Sequence, residues 1–114
     1  MQVRRLEEAS VYEAPKHHDM KPLRLQGWNA SETKNFWVGL SYLLPGGGGE
    51  WDSTPTEKVY VVIQGEVTVV TDEGEATLTP LDSVHLRLGE ARLLENRTKR
   101  PATILVVMTY PPQS

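Results

Sequence analysis

The densest chemistry in the chain lies between residues 50 and 60. Glu50, Asp52 and Glu57 fall within eight residues with no basic residue among them, and Lys58 and Tyr60 follow directly. Such an acidic cluster can supply a general base, ligate a metal by an unorthodox set, or stand as a solvated loop. Four glycines, 46–49, precede it without a Gly-Lys-Ser/Thr ending or a following helix pattern, which excludes a phosphate-binding P-loop. The three histidines are His17, His18 and His85. Adjacent residues of an extended chain point to opposite faces, so His17 and His18 are poorly placed to chelate one ion together. Either can serve as an acid or base near neutral pH, or stand solvated on a terminal arm. There is no cysteine, hence no disulfide, thiol nucleophile or Cys-ligated metal.

The elements that must position these residues are strands. Short runs rich in Val, Ile, Leu, Thr and Tyr recur at 35–44, 58–63, 66–71, 75–79, 83–86, 92–95 and 103–110, with a shorter one at 23–26. Turn signals separate them: Pro45 with the glycines, Gln64-Gly65, Asp72-Glu73-Gly74, Pro80, Gly89 and 96–101. Gly65 and Gly74 each read as hairpin turns. No window sustains helical spacing for three turns, so the class is all-β. Residues 1–22 form an extended arm that contributes to the barrel or to a dimer, and 23–114 form one domain. A chain of 114 residues can bury roughly two-thirds of its unfolded surface without a metal or disulfide staple. The runs 59–63 and 104–108 are apolar on both faces, which calls for a second covering layer and points to a homodimer. Net charge of -3 argues against a nucleic-acid partner. No apolar stretch suits a membrane span or a signal region, so a cytoplasmic location is expected.

Two stretches resemble the cupin superfamily of small β-barrels. The first runs from Pro45-Gly46-Gly47-Gly48-Gly49-Glu50 through Glu57-Lys58-Val59-Tyr60-Val61-Val62-Ile63 to Gln64-Gly65-Glu66-Val67. The second is Leu81-Asp82-Ser83-Val84-His85-Leu86 through Gly89, Arg92 and Asn96. The resemblance implies a double-stranded β-helix, or jelly-roll, barrel. Its members usually hold a divalent metal with histidines and a glutamate. Here the Glu position falls on Lys58, the two His positions on Asp52 and Thr54, or one residue earlier if the loop is longer, and the last His position on Arg92. Lysine and arginine bring only donors and positive charge, so the resemblance implies no metal site and no cofactor.

Alternation along a strand puts Lys58 with Tyr60 and Val62, and Arg92 with Leu94 and Asn96. A barrel lumen holding two cations, a phenol and an amide would attract a small carboxylate, since arginine offers it a planar bidentate fork. Tyr42 shares its alternation with Leu40 and Leu44 and is expected to face the core beside Lys58 or Arg92, while Trp51 walls or covers the pocket. The expected catalytic set is Lys58, Arg92, Glu50, Tyr60 and Tyr42; the expected substrate-binding set is Arg92, Lys58, Asn96, Asp52 and Trp51. His85 is expected to point outward. The chemistry implied is a metal-independent decarboxylase, lyase or isomerase acting on a carboxylated metabolite. The alternative is a non-catalytic ligand-binding or accessory protein, in which Lys58 and Arg92 merely pair with Glu50, Glu57 or Asp52 and plug the lumen.

Overall fold

In the computed structural model, which describes residues 1–112, the chain forms a nearly closed antiparallel β-barrel. Nine strands make it: β1 (Ser10–Val11), β2 (His17–Gln26), β3 (Phe36–Asp52), β4 (Lys58–Gln64), β5 (Val67–Thr71), β6 (Gly74–Leu78), β7 (Ser83–Leu86), β8 (Arg92–Glu95) and β9 (Ala102–Thr109). A single 3-10 turn, Leu6–Glu8, precedes them. The hydrogen-bonded order β6-β5-β8-β3-β9-β4-β7, with β2 also on β3 and β1 on β2, is the cupin-type jelly roll. No helix among the described residues is long and apolar enough to cross a membrane.

Alternation explains the core. Tyr60 and Val62 of β4, Val67 and Val69 of β5, Leu94 of β8, and Ile104 and Val106 of β9 are all buried inside. Their neighbours Val59, Val61, Leu105 and Val107 face outward and are half-buried. They stand in cross-strand rows, Val38–Val107–Val59 and Leu40–Leu105–Val61, so the two-sided apolar runs give one inner and one outer apolar face.

The structure corrects three local expectations. Pro45 and the glycines do not end a strand; they lie inside β3, whose first half pairs with β2 and β9 while Gly48, Gly49 and Asp52 pair with β8. One strand thus serves both walls of the barrel. Gly65 is not a hairpin, because β4 pairs with β7 and β9 while β5 pairs with β6 and β8. It turns a corner between walls at φ 80°, where an added Cβ would lie 2.7 Å from the Pro101 carbonyl oxygen. Finally, β2 begins at His17, well before residue 23, because its first residues pair with the glycine segment of β3.

Close approach, more than turning, demands those glycines. A Cβ on Gly47 would sit 2.1 Å from Asp19 O, and one on Gly48 would sit 2.0 Å from Leu94 O. Both obstacles are backbone and cannot swing aside. Gly46, at φ 82°, has open space around it. Gly48→Ala should therefore cost roughly 2–4 kcal/mol, as overpacking against a fixed backbone does. Gly46→Ala should cost only about 1–2 kcal/mol, from its left-handed backbone alone. Urea unfolding of the two variants checks the order, and equal losses would sink the close-approach account.

Candidate functional site

The barrel encloses a cavity of about 340 Å³. Side chains reach it from the 12–15 segment, β2, the inner face of β3, the 52–58 connection, and strands β4, β8 and β9. Leu94, Ile104 and Val106 form its apolar floor.

Arg92 is the best-anchored polar group. It is 4% exposed, and its Nε donates to Tyr60 Oη at 2.9 Å while Nη1 donates to the backbone oxygen of Glu50 at 3.0 Å. Nη2 faces His17 Nε2 at 3.4 Å. The other ring nitrogen of His17, Nδ1, lies 2.7 Å from the Pro15 carbonyl oxygen, which can only accept. Nδ1 therefore carries the proton, and Nε2 offers a lone pair to Arg92. Burial lowers the His17 pKa, opposed by the Pro15 hydrogen bond and aided by the nearby Arg92 and Lys58 charges, which favours the neutral imidazole. Gly49 makes the arrangement possible: a Cβ there would meet His17 Nε2 at 2.8 Å and Arg92 Nη1 at 3.3 Å.

Lys58 is equally buried, at 3% exposure, and its Nζ donates to Thr54 Oγ1 at 2.9 Å. Thr54 is held in turn by Thr56, 2.8 Å away. Burial, reinforced by the Arg92 charge and opposed by Asp52, brings the Lys58 pKa from 10.5 down to about 8. Asp52 also lines the cavity, with Oδ1 accepting from Lys16 Nζ at 3.3 Å. Partial burial pushes its carboxyl up, but the Ser53 backbone N–H and Lys16 outweigh that and hold it below the ordinary value. The ion-pair plug is not formed: among the described residues no carboxylate pairs with Lys58 or Arg92.

Several expected site residues lie elsewhere. Tyr42 is on the outer face of β3, because Trp37, Gly39, Ser41 and Leu43 take the inner positions. Glu50 and Trp51 are exposed at the barrel surface, and Glu50 reaches the site only through its carbonyl. Asn96 is buried but its amide is fully used: it donates to Leu43 O and Arg100 O and accepts from the Thr98 N–H and hydroxyl. It is a backbone staple, without a free group for a ligand. His85 points outward and pairs with Glu57.

The sequence reading missed one wall. Tyr12, Trp28 and Trp37 surround the Arg24 guanidinium, which lies 4.0, 4.8 and 4.9 Å from their ring centroids. Tyr12 and Trp37 meet edge to face at 5.6 Å, and burial raises the Tyr12 pKa to about 12. A shift of one residue in the alternation read for 35–44 would have found Trp37 and Ser41; nothing local marks Tyr12 or Arg24.

A divalent cation does not fit this donor set. Of the residue types that ligate such an ion, His17, Asp52 and Glu13 line the cavity, beside two buried cations, Lys58 and Arg92, that repel a metal ion. No group of three or more His, Asp or Glu that could hold a metal occurs among the described residues.

Fold and lumenal site together define a small barrel with a cavity lined by cations and aromatic rings. The cupin domain family matches residues 39–108, and the chain belongs to that family. The chain is 48% identical over 111 residues, 97% of its length and 96% of the relative's, to a protein named beta-D-galactosidase from Mycobacterium tuberculosis. It is similar to a sugar phosphate isomerase of the cupin superfamily from Silicibacter pomeroyi, at 28% identity and TM-score 0.73, covering 97% of this chain and 71% of that one. The polyketide cyclase RemF from Streptomyces resistomycificus shares the fold, with TM-score 0.85 at 16% identity, over 99% of this chain and 82% of that one.

Burying Lys58 costs stability, and the sign of its pH dependence follows from the lowered pKa. Between about 8 and 10.5 the unfolded chain binds the proton that the folded chain has lost, so stability rises with pH there. The penalty is complete below about 8. Lys58→Met should therefore raise Tm at pH 7, by roughly 3–5 °C, and the gain should shrink as pH rises through that interval. Calorimetric melting at pH 7 and pH 10 decides; a gain independent of pH would remove the burial penalty from the account.

Proposed function

We propose that this cupin is an enzyme that hydrolyses a small β-D-galactoside inside the barrel. The observation that carries the reading is the pairing, in one cavity, of an ionised carboxylate, Asp52, with a buried ammonium whose pKa is about 8, Lys58. The name of the 48% identical relative supports the substrate class. The aromatic wall supports it too, since sugar rings stack their C–H faces on such rings and leave their hydroxyls to polar groups.

Asp52 takes a proton from water as the water oxygen bonds to the anomeric carbon. The glycosidic C–O bond breaks, and the departing oxygen takes the proton of Lys58 Nζ. Solvent then returns a proton to the amine and removes one from Asp52. An acid with pKa near the working pH combines a populated protonated form with a real driving force for transfer. Arg92, fixed by Tyr60 and the Glu50 carbonyl, turns its N–H groups to sugar oxygens and steadies charge on the leaving oxygen.

A second reading rests on the buried cations themselves. Neither Lys58 nor Arg92 pairs with a carboxylate among the described residues, so the pair suits a carboxylated metabolite. The chemistry would be metal-independent decarboxylation, lyase cleavage or isomerisation. Arg92 and Lys58 would hold the carboxylate and stabilise an enolate, while Tyr60 or His17 moves the proton. A non-catalytic carboxylate binder is its limiting form.

Hydrolysis of 4-nitrophenyl β-D-galactopyranoside separates these readings. Asp52→Asn and Lys58→Met should each lower kcat by about 10²–10⁴-fold, the range for a lost general acid or base. In the wild type, kcat should fall above pH 8 as Lys58 loses its proton. Full activity in both variants would overturn the assignment. A carboxylate-induced rise in Tm with no galactoside turnover would favour the second reading. The homodimer is part of the same proposal, with the outer Val59, Val61, Leu105 and Val107 as its contact. Light scattering should give twice the chain mass, and Leu105→Glu should halve it.

A further inference from the structure

The lining residues of the lumenal cavity that stay exposed, Glu13, Pro15, Trp28, Pro55 and Pro111, mark its open rim. Two of them, Trp28 and Pro111, also line a second, open groove beside the barrel mouth, together with the 31–34 segment and Tyr110. Cavity and groove thus meet across Trp28 and Pro111. Strand register relates this edge to the polar centre. Trp37 of β3 pairs with Met108 of β9, and Met108 with Lys58 of β4. Trp37 and Lys58 therefore lie in one inner row, two strands and roughly 10 Å apart. The Trp28 ring comes next, 6.4 Å from that of Trp37.

Trp28 is held in place with its ring displayed. The residue is 46% exposed, and its backbone sits at φ 53°, in the left-handed region that a bulky side chain rarely enters. Hydrogen bonds pin the turn. The Trp28 N–H donates to Tyr110 Oη at 3.0 Å, and that oxygen also bonds Thr33 Oγ1 at 2.6 Å. The preceding Gly27, at φ 89°, donates its N–H to Ser31 Oγ at 2.8 Å, and Ser31 donates to Gln26 Oε1 at 2.6 Å. The indole is fixed as well: the Arg24 guanidinium lies 4.8 Å from its centroid, and the Tyr110 ring stands 5.0 Å away at 78°. A glycine or asparagine would make this turn without strain. Strain that its surroundings over-determine in this way, beside a cavity, is a pointer to function.

We infer that Trp28 and the 31–34 groove form a subsite for a second sugar, so that the substrate is a galactoside whose aglycone is itself a sugar. This rests on the hydrolase reading and adds to it the leaving group. A galactose cleaved between Asp52 and Lys58 lies inside the rim, and the apolar floor of Leu94, Ile104 and Val106 closes the other end. Its aglycone leaves the cavity only over the rim. A fixed, exposed indole takes the C–H face of a pyranose without first having to be ordered. Beyond it the groove brings Glu32 and Lys34, both exposed and neither in a salt bridge among the described residues. The carboxylate accepts from one sugar hydroxyl and the ammonium donates to another. An apolar aglycone would use the ring and neither of these groups.

Methyl β-D-galactopyranoside, lactose and 4-nitrophenyl β-D-galactopyranoside offer this subsite no ring, a sugar ring and an aryl ring. Released galactose, assayed with galactose dehydrogenase, gives KM for the first two on one scale. Calorimetric titration, with Asp52→Asn added to stop turnover, gives Kd for all three. Lactose should be held at least tenfold more tightly than the methyl galactoside by both measures. In Trp28→Ala that advantage should shrink to within about twofold, and Trp28→Phe should keep part of it. Glu32→Gln combined with Lys34→Met should lower it by at least threefold. The advantage is a ratio between two ligands, so a simple loss of folding leaves it unchanged. Tighter binding of the aryl galactoside with no gain from lactose overturns the sugar assignment. Hydrolysis with equal KM for lactose and the methyl galactoside, or an advantage that survives Trp28→Ala, overturns the subsite and leaves the hydrolase standing. A lactose preference in binding that Trp28→Ala abolishes, without hydrolysis of any of the three, upholds the subsite and sinks the hydrolase. Neither hydrolysis nor a lactose preference in binding overturns both.

Discussion

The glycine segment of β3 is where the barrel and its site depend on one constraint: backbones packed at contact distance. Gly47 lies against Asp19 of β2 and Gly48 against Leu94 of β8, so one strand joins both walls with no side chain between them. Backbone bonds lock the crossing, with Gly46 N–H donating to Asn96 O and Asn96 N–H to Gly47 O. The Asn96 side chain then ties Leu43 to the 98–100 turn. Because β8 is drawn this close, Arg92 at its first position reaches Tyr60 across the lumen and the Glu50 carbonyl beside it. Because β2 is drawn equally close, His17 lies against Arg92 over the bare face of Gly49.

The electrostatics follow from that closure. Two cations are buried within one small lumen, and the protein meets them with neutral acceptors: a phenol, a carbonyl, a threonine hydroxyl and an imidazole whose surroundings favour its neutral form. Hydrogen bonds to neutral oxygens satisfy the donors' geometry but do not cancel charge, so Lys58 releases its proton more readily than a surface lysine. A lumen with two buried cations, neither in contact with a carboxylate among the described residues, is a poor design for stability alone. It is a good one for gripping an oxygen-rich molecule, and this trade is the common signature of a binding site carved into a core. At the surface the same charges are spent differently: Arg87 and Arg97 pair with Glu73, Glu90, Glu75 and Glu95 and contribute little more than solubility.

Much of the barrel was legible in the sequence. Period-two alternation is a local property, and it gave β4 its inner Lys58, Tyr60 and Val62 and β8 its inner Arg92 and Leu94. The same rule failed on β3, where Leu40, Tyr42 and Leu44 look as apolar as the true inner set. Trp37, Gly39, Ser41 and Leu43 include a glycine and a serine, so hydrophobicity pointed to the wrong face. The inner face mixes Trp37 and Leu43 with a glycine and a serine because part of it lines a cavity, where a closed core would have been oily throughout. Asn96 failed for a different reason: its alternation was right, yet the turn that follows consumed every hydrogen-bonding group it has.

By itself the sequence determined the all-β class, the cupin motifs, and the placing of lysine and arginine where that resemblance expects metal ligands. Those features are written in composition, spacing and strand periodicity, which act between near neighbours. Only the tertiary structure decided that the glycines lie within a strand, that Gly65 turns a corner between walls, and that Arg24 sits among Tyr12, Trp28 and Trp37. These depend on which strand pairs with which, and on the register between residues far apart in the chain. Pairing of that kind is set by the burial of the whole core at once, and no local window of residues contains it.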